Sequence, residues 1–354
     1  MLYLGLLPAE THNIMSLIFH DGFDEYSTYA DMQSIGGWVT SNNPTLLNTF
    51  RAVGGGKCLR LEGLPSQYAA IPFPDQSGNT VFSGFAYKLE GSSGFDADFV
   101  YINHAAGSHL QIHWDGSTNN RYQLYNNTTL LAQGSVGSVD LAVEHLIQLK
   151  IKIAATGGIC DMIIDGNTHF SYTGDTQNGA SSALQDFNFV APPGVRNNHI
   201  DDLWICNDKG TINNTYLGNR FSKIIHPTSD DVKQLSVNIG ANNFAAIDDL
   251  VGSPDGDNTY IFGAIPGDKD TFGLNTITSL GIISGVRLIT NARKDSSDAR
   301  SVKVGIKIGT NEQQVTHTLS ETYQAFIDYF ETSDGTNRIT QSNIDAIQTT
   351  VEVV

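Results

Sequence analysis

From about residue 17 to residue 226 the chain is divided into short apolar-rich runs, each closed by Gly, Asn, Asp, Ser or Pro. Runs of that length with turn residues between them, and no helical patterns intervening, restrict the chain to antiparallel strands packed as a sandwich. The runs fall at 81–89, 99–103, 109–114, 121–126, 130–133, 146–154, 160–164, 169–172 and 200–206. In the run HLQIHW, Leu110, Ile112 and Trp114 alternate with Gln111 and His113, so one face packs and the other is wetter. Asp165-Gly166-Asn167, set between CDMII and THFSY, carries the signature of a tight hairpin.

A second set of strand candidates follows at 233–239, 259–262, 286–293, 301–308 and 323–330, with the loop KDSSDAR read as joining two of them in a hairpin. Only the C-terminal stretch reads as helical. Thr340 or Ser342 caps a short turn over 343–347, and 350–354 closes the chain as a last strand. The expected organisation is therefore an all-β chain: a first sandwich over 15–226 and a smaller β-sandwich or jelly roll over 227–354. Residues 1–14 read as an N-terminal extension, because the chain from Met15, MSLIFHDGFDEY, resembles a natural start.

Composition agrees with this reading. Of the 37 acids in the 354 residues, 28 are Asp and 9 Glu, and Asp favours turns and caps where Glu favours helix interiors. The net charge of −17 argues against a partner held through phosphate neutralisation, so nucleic acid is not expected. It is spread evenly, with 11 basic and 20 acidic groups in 1–226 and 9 and 17 in 227–354. No stretch approaches the roughly 20 apolar residues of a membrane helix, and membrane insertion is not expected. The opening MLYLGLLP lacks a basic region and is interrupted by Pro8, which reads against a secretory leader. Cys58, Cys160 and Cys206 lie in apolar runs and read as small buried side chains.

The sequence carries no G-x-S-x-G elbow, no phosphate-binding loop and no H-E-x-x-H. A sandwich glycosidase needs paired carboxylates, and the nearest approach is Asp96 and Asp98 in FDADF. His109 and His113 on one strand would stand about 13 Å apart, too far to share a metal, so they and His104 are read as solvent-facing. Asp21 and Asp24 in HDGFDEY and Asp201 and Asp202 in HIDDLWIC sit on the first and last strands of the sandwich. Those strands are expected to be neighbours. The four carboxylates are therefore candidate Ca²⁺ ligands, with turn-capping as the alternative. Asp255 and Asp257, and Asp268 and Asp270, form two further Asp-x-Asp loops. No other cofactor is implied. For a glycan, Trp114, Tyr122 and Tyr125 are the candidate stacking residues, on the hairpin whose tip is DGSTNN.

Three segments carry a family resemblance: HDGFDEYSTYADMQSIGGWV, LKIKIAATGGICDMIIDGNTHFSYTGDTQN and HIDDLWICNDKGTINNTYLG. Together they resemble the laminin-G-like, concanavalin-type jelly roll of structural proteins of tailed bacteriophages. The likeness continues through GDKDTFGL, the long hairpin VRLITNARKDSSDARSVKVGIKIG and the ending NIDAIQTTVEVV, and so covers residues 15–354.

The resemblance implies a non-enzymatic virion component, made in the bacterial host cytoplasm and displayed on the particle as a head decoration or a tail or baseplate appendage. Its implied partners are other virion proteins, further copies of the chain, with a trimer expected, and a host-surface glycan. Two rivals remain at this stage: a phage-borne glycan depolymerase on the same scaffold, and a secreted bacterial lectin.

Overall fold

The computed structural model describes residues 15–354 apart from 49, 52–55, 65–66, 92–93, 105–106, 180, 192–195, 250–251 and 278–280. The extension expected at 1–14 lies outside the described residues. The chain is nearly all β, with two short helices and one 3-10 turn among the described residues.

Two antiparallel sheets form the N-terminal sandwich. One runs Asn167–Gly174, Gly158–Ile164, His145–Lys152, Val81–Glu90, Asn197–Asn207, Lys57–Glu62 and Thr45–Asn48, and Leu17–Asp21 also pairs with Asn197–Asn207. The other runs Thr129–Gln133, Arg121–Asn126, Gly107–Asp115, Asp96–His104, Asp186–Val190, Tyr68–Pro72 and Val39–Ser41. Alternate residues of both sheets meet in one apolar core. Its centre is aromatic: Phe85, Tyr87, Phe99, Tyr122 and Phe189 touch in tilted and edge-to-face pairs, with Tyr87 and Phe99 centroids 4.6 Å apart. All three cysteines are buried and free, as their apolar runs imply.

Several sequence expectations hold in detail. The run expected at 121–126 is the strand Arg121–Asn126. Ile164 pairs with Asn167 around Asp165 and Gly166, both at positive φ, which is the backbone of a tight two-residue hairpin. Thr340 caps the helix Gln341–Asp345 through Asn343 N–H, and the final strand is Ile347–Val353. A second helix, Tyr29–Ser34, was not expected. Thr28 accepts from Asp31 N–H while the Asp31 carboxylate accepts from Thr28 N–H, a capping box readable in the sequence as T-x-x-D.

The C-terminal part contains a five-stranded sheet in the order Pro227–Val232, Lys269–Leu274, Ile347–Val353, Ser301–Ile308 and Asn311–Thr318. Two ribbons accompany it, Ser236–Val237 with Ile261–Phe262 and Val286–Ala292 with Gln324–Phe330. Val286, Leu288 and Phe330 of the second ribbon share an apolar cluster with Ile306 and Ile308 of the sheet, giving two layers.

The hairpin expected across KDSSDAR is not formed. Val286–Ala292 pairs with Gln324–Phe330, and Ser301–Ile308 pairs with Asn311–Thr318 through Gly309 and Thr310. Gly309 at φ 61 supplies the left-handed residue a two-residue hairpin needs, so the short local turn forms and KDSSDAR instead carries the chain between layers. The strand expected at 233–239 shrinks to Ser236–Val237, because Gln234 and Leu235 give their N–H groups to the Asp270 carboxylate and not to a neighbouring strand.

Candidate functional site

The outer face of the seven-stranded sheet carries a grid of polar side chains. Strand register places Asp98 beside His113, His113 beside Gln123 and Gln123 beside Gln133. The adjacent row is Asn188, Tyr101, Gln111 and Tyr125. These residues share one face because they have the opposite parity to Leu110, Ile112, Trp114, Tyr122 and Leu124, which fill the core. A register shift between Asp98 and Val100 turns Asp98 onto the same face as Tyr101.

The grid is wired by hydrogen bonds. The Asp98 carboxylate receives Tyr101 Oη, Gln111 Nε2 and, at 2.9 Å, His113 Nδ1. Burial opposes its charge, but the bonds from His113, Tyr101 and Gln111 outweigh that and hold its carboxyl below the usual range. Burial and the adjacent Asp98 push the Tyr101 phenol up. Tyr125 Oη donates to Gln123 Oε1 at 2.9 Å, and Gln123 Nε2 reaches Gln133 Oε1 and Asp115 Oδ2, each at 3.1 Å. Arg121 Nε meets the same Asp115 oxygen at 3.0 Å. The His113 and Tyr125 rings stand edge to face at 5.9 Å. With the His113 and Asp98 side chains 24% and 29% exposed, the cluster is open to a ligand while its rotamers are held by partners.

The expected glycan residues divide. Tyr125 is on this face, whereas Trp114 and Tyr122 are buried at 2% and 0% exposure among Phe95 and Phe99 and present no ring to a sugar. The period-two alternation that sets Trp114 with Leu110 and Ile112 already assigned it inward. Of the expected solvent-facing histidines, His113 is on the open face, but His109 is fully buried. It bonds Ala183 O through Nε2 at 2.6 Å and receives Asn178 N–H at Nδ1, with the His104 ring 4.4 Å away. Burial lowers its pKa, as expected for an imidazole fixed in a structural role.

Asp96 and Asp98 do not form a carboxylate pair of the glycosidase kind. Asp96 holds the turn after the neighbouring strand Gly107–Asp115 by accepting Ser117 N–H at 3.0 Å and Ser117 Oγ at 2.9 Å, while Asp98 is engaged by His113.

The first and last sandwich strands are neighbours, with Asp21 opposite Leu203. Even so, the donor chemistry around the four aspartates does not fit a calcium ion. Asp21 accepts Phe23 N–H at 2.8 Å, Tyr26 Oη at 2.6 Å and Trp38 Nε1 at 2.9 Å. Asp202, at φ 49 on a bulge, is held by Arg51 and by Ser222 N–H. Asp24 accepts Lys57 N–H, and Asp201 accepts Asp202 N–H. Each of the four thus has at least one oxygen on a hydrogen-bond donor, and among the described residues no three His, Cys, Asp or Glu side chains are grouped to hold a metal. In the first Asp-x-Asp loop Asp255 accepts Thr259 N–H and Oγ1, and Asp257 accepts the Arg293 guanidinium and Tyr323 Oη. The buried Asp270 gathers Gln234 N–H, Leu235 N–H and Asn243 Nδ2, and Asp268 N–H closes a turn on Ile265 O.

No family model matches the chain, and no curated protein matches it. Solved structures similar to it include the alginate lyase AlgAT5 of polysaccharide lyase family 7, at 11% identity and TM-score 0.32 over 43% of this chain and 79% of that one. A Bacillus subtilis protein of unknown function with a galectin-like fold is similar at 10% identity and TM-score 0.35, over 54% and 96%. A conserved carbohydrate esterase, vb_24B_21, of the Shiga toxin-encoding bacteriophage phi24B is similar at 11% identity and TM-score 0.34, over 49% and 90%. The likeness concerns sheet architecture alone.

Proposed function

We propose that the chain is a non-enzymatic structural protein of a tailed-bacteriophage particle, displayed on the surface as a head decoration or a tail or baseplate appendage. Its seven-stranded sheet is the face that contacts a host-surface glycan. The 227–354 part mediates docking to other virion proteins, in a homotrimer matched to the attachment point. The family resemblance over 15–354 supports the virion assignment.

One observation carries the glycan assignment: the grid of Asp98, Tyr101, Gln111, His113 and Tyr125 on an open sheet face, with the buried Gln123 fixing Tyr125. Carboxylate, amide, imidazole and phenol groups held at fixed spacing suit a hydroxyl-rich ligand, and Tyr125 adds an aromatic ring on which a sugar can stack. A second reading, a depolymerase on the same face, is favoured by the proximity of an imidazole and a phenol, an acid and base pair in form.

Incubation of the protein with host polysaccharide tests both. The expected result is saturable binding that the double variant Gln123→Ala, Tyr125→Ala weakens by about tenfold or more, with no release of new sugar ends. Release of ends would replace the first reading with the second, and absence of binding would remove the glycan assignment. Labelling the protein in images of the particle tests the virion assignment separately.

A further inference from the structure

A cavity of about 1330 Å³ separates the sandwich from the C-terminal layers, with Leu17, Glu25, Phe221, Arg287 and Ile347 among its walls. At its sandwich side a compact charged cluster crosses the seam. Arg287, from the ribbon strand Val286–Ala292, inserts its guanidinium between Glu25 and Asp21 and donates to Tyr26 Oη at 3.0 Å. The side chains of Arg287, Glu25 and Asp21 are 4%, 9% and 0% exposed. One buried guanidinium thus faces two buried carboxylates, and only one of them can be balanced by it.

We propose that Glu25 is a proton-operated latch between the sandwich and the C-terminal ribbon. When Glu25 carries a proton, Arg287 balances Asp21 and the seam is neutral. When Glu25 ionises, the seam holds an excess buried negative charge and loosens along the cavity.

The surrounding groups leave this proton to Glu25. Asp21 faces it from the first strand, with Phe23 N–H, Tyr26 Oη and Trp38 Nε1 on its oxygens. His20, on the same strand, is kept neutral by complete burial and by Arg287, its pKa lowered to about 3. Burial pushes the Tyr26 phenol up, and that of Tyr329, on the partner strand of the ribbon, up to about 12. Asp24, from the same loop as Glu25, also has its pKa raised by burial, with Lys57 and Lys223 opposing. Arg287 itself stays charged, since Tyr26, Glu25 and Asp21 outweigh its burial.

For Glu25, burial and the adjacent Asp21 raise the pKa from 4.5 to about 7, against the pull of Arg287. The folded state therefore keeps a proton that the unfolded chain has already lost. This contribution to stability is complete below 4.5 and is lost as pH rises through about 7.

Hydrogen exchange measured from about pH 5.5 to about pH 8, corrected for intrinsic rates, reads the latch directly. Protection of Leu17–Asp21 and Val286–Ala292 is expected to fall with a midpoint near 7, while the core strand His145–Lys152 keeps its protection. In Glu25→Gln the fall disappears. Flat protection in the parent protein, or the same fall in the variant, overturns the proposal. If the variant does not fold, a carbon-13 titration of the parent's glutamate carboxyls decides: a buried Glu titrating near 7 supports the latch, and none above about pH 6 overturns it.

Discussion

The carboxylate of Asp21 accepts from a backbone N–H, a phenol and an indole, and lies 3.7 Å from the Arg287 guanidinium. Asp21→Ala therefore leaves three buried donors unpaired, while Arg287 keeps Glu25 as its acceptor. An unpaired buried donor costs about 1–3 kcal/mol, and urea denaturation of the variant near neutral pH is expected to show a loss of about 3 kcal/mol or more. A loss of about 1 kcal/mol or less would show that the site relaxes around the missing carboxylate. At this scale the sequence was legible in part. The acids of HDGFD and IDDL were visible as candidates, but the choice between cation and hydrogen-bond donors depended on Tyr26 of the same loop and on Trp38, Arg51 and Arg287 from further along the chain.

Two glycines in strand-rich segments separate the causes of strand and turn geometry. Gly166 sits at φ 81 in a hairpin turn where an added Cβ would meet nothing within 4 Å, so only backbone conformation opposes a side chain there. Gly166→Ala is expected to cost about 1–2 kcal/mol. Gly305 lies within Ser301–Ile308, where an added Cβ would stand 1.9 Å from the Gln313 carbonyl oxygen, so its neighbouring strand would have to move. Gly305→Ala is expected to cost more than Gly166→Ala, with loss of amide protection concentrated in Ser301–Ile308 and Asn311–Thr318; equal losses measured by denaturation would contradict the steric account. Most strands and the Asp165-Gly166 and Thr340 turns were legible because their causes are local. The KDSSDAR hairpin was misread because two runs of strand residues separated by a loop say nothing about which neighbour each will take.

Glu331 ties the two parts of the molecule together. Its carboxylate accepts Ser16 N–H at 2.8 Å, Leu17 N–H at 2.6 Å and Asn213 Nδ2 at 2.9 Å, while Arg338 holds the same Asn213 through its Oδ1 at 2.8 Å. Arg220 adds a bond to Ser284 Oγ at 2.8 Å. Glu331→Ala leaves the Ser16 and Leu17 N–H groups without this acceptor, each at about 1–3 kcal/mol, while Asn213 keeps its bond to Ser284 O. Calorimetry of the parent protein is expected to show one unfolding transition, and of the variant two, with the C-terminal sheets melting first; a single shifted transition in the variant would mean that the apolar contacts alone couple the parts. The sequence by itself determined the all-β class, most strand positions and the inward parity of Leu110, Ile112 and Trp114, because alternation and turn chemistry act over a few neighbouring positions. Only the tertiary structure decided that Asp98, His113, Gln123 and Tyr125 share one open grid and that Arg287 meets Glu25. Those meetings depend on strand order, register and burial, which join residues far apart in the chain and leave no local pattern.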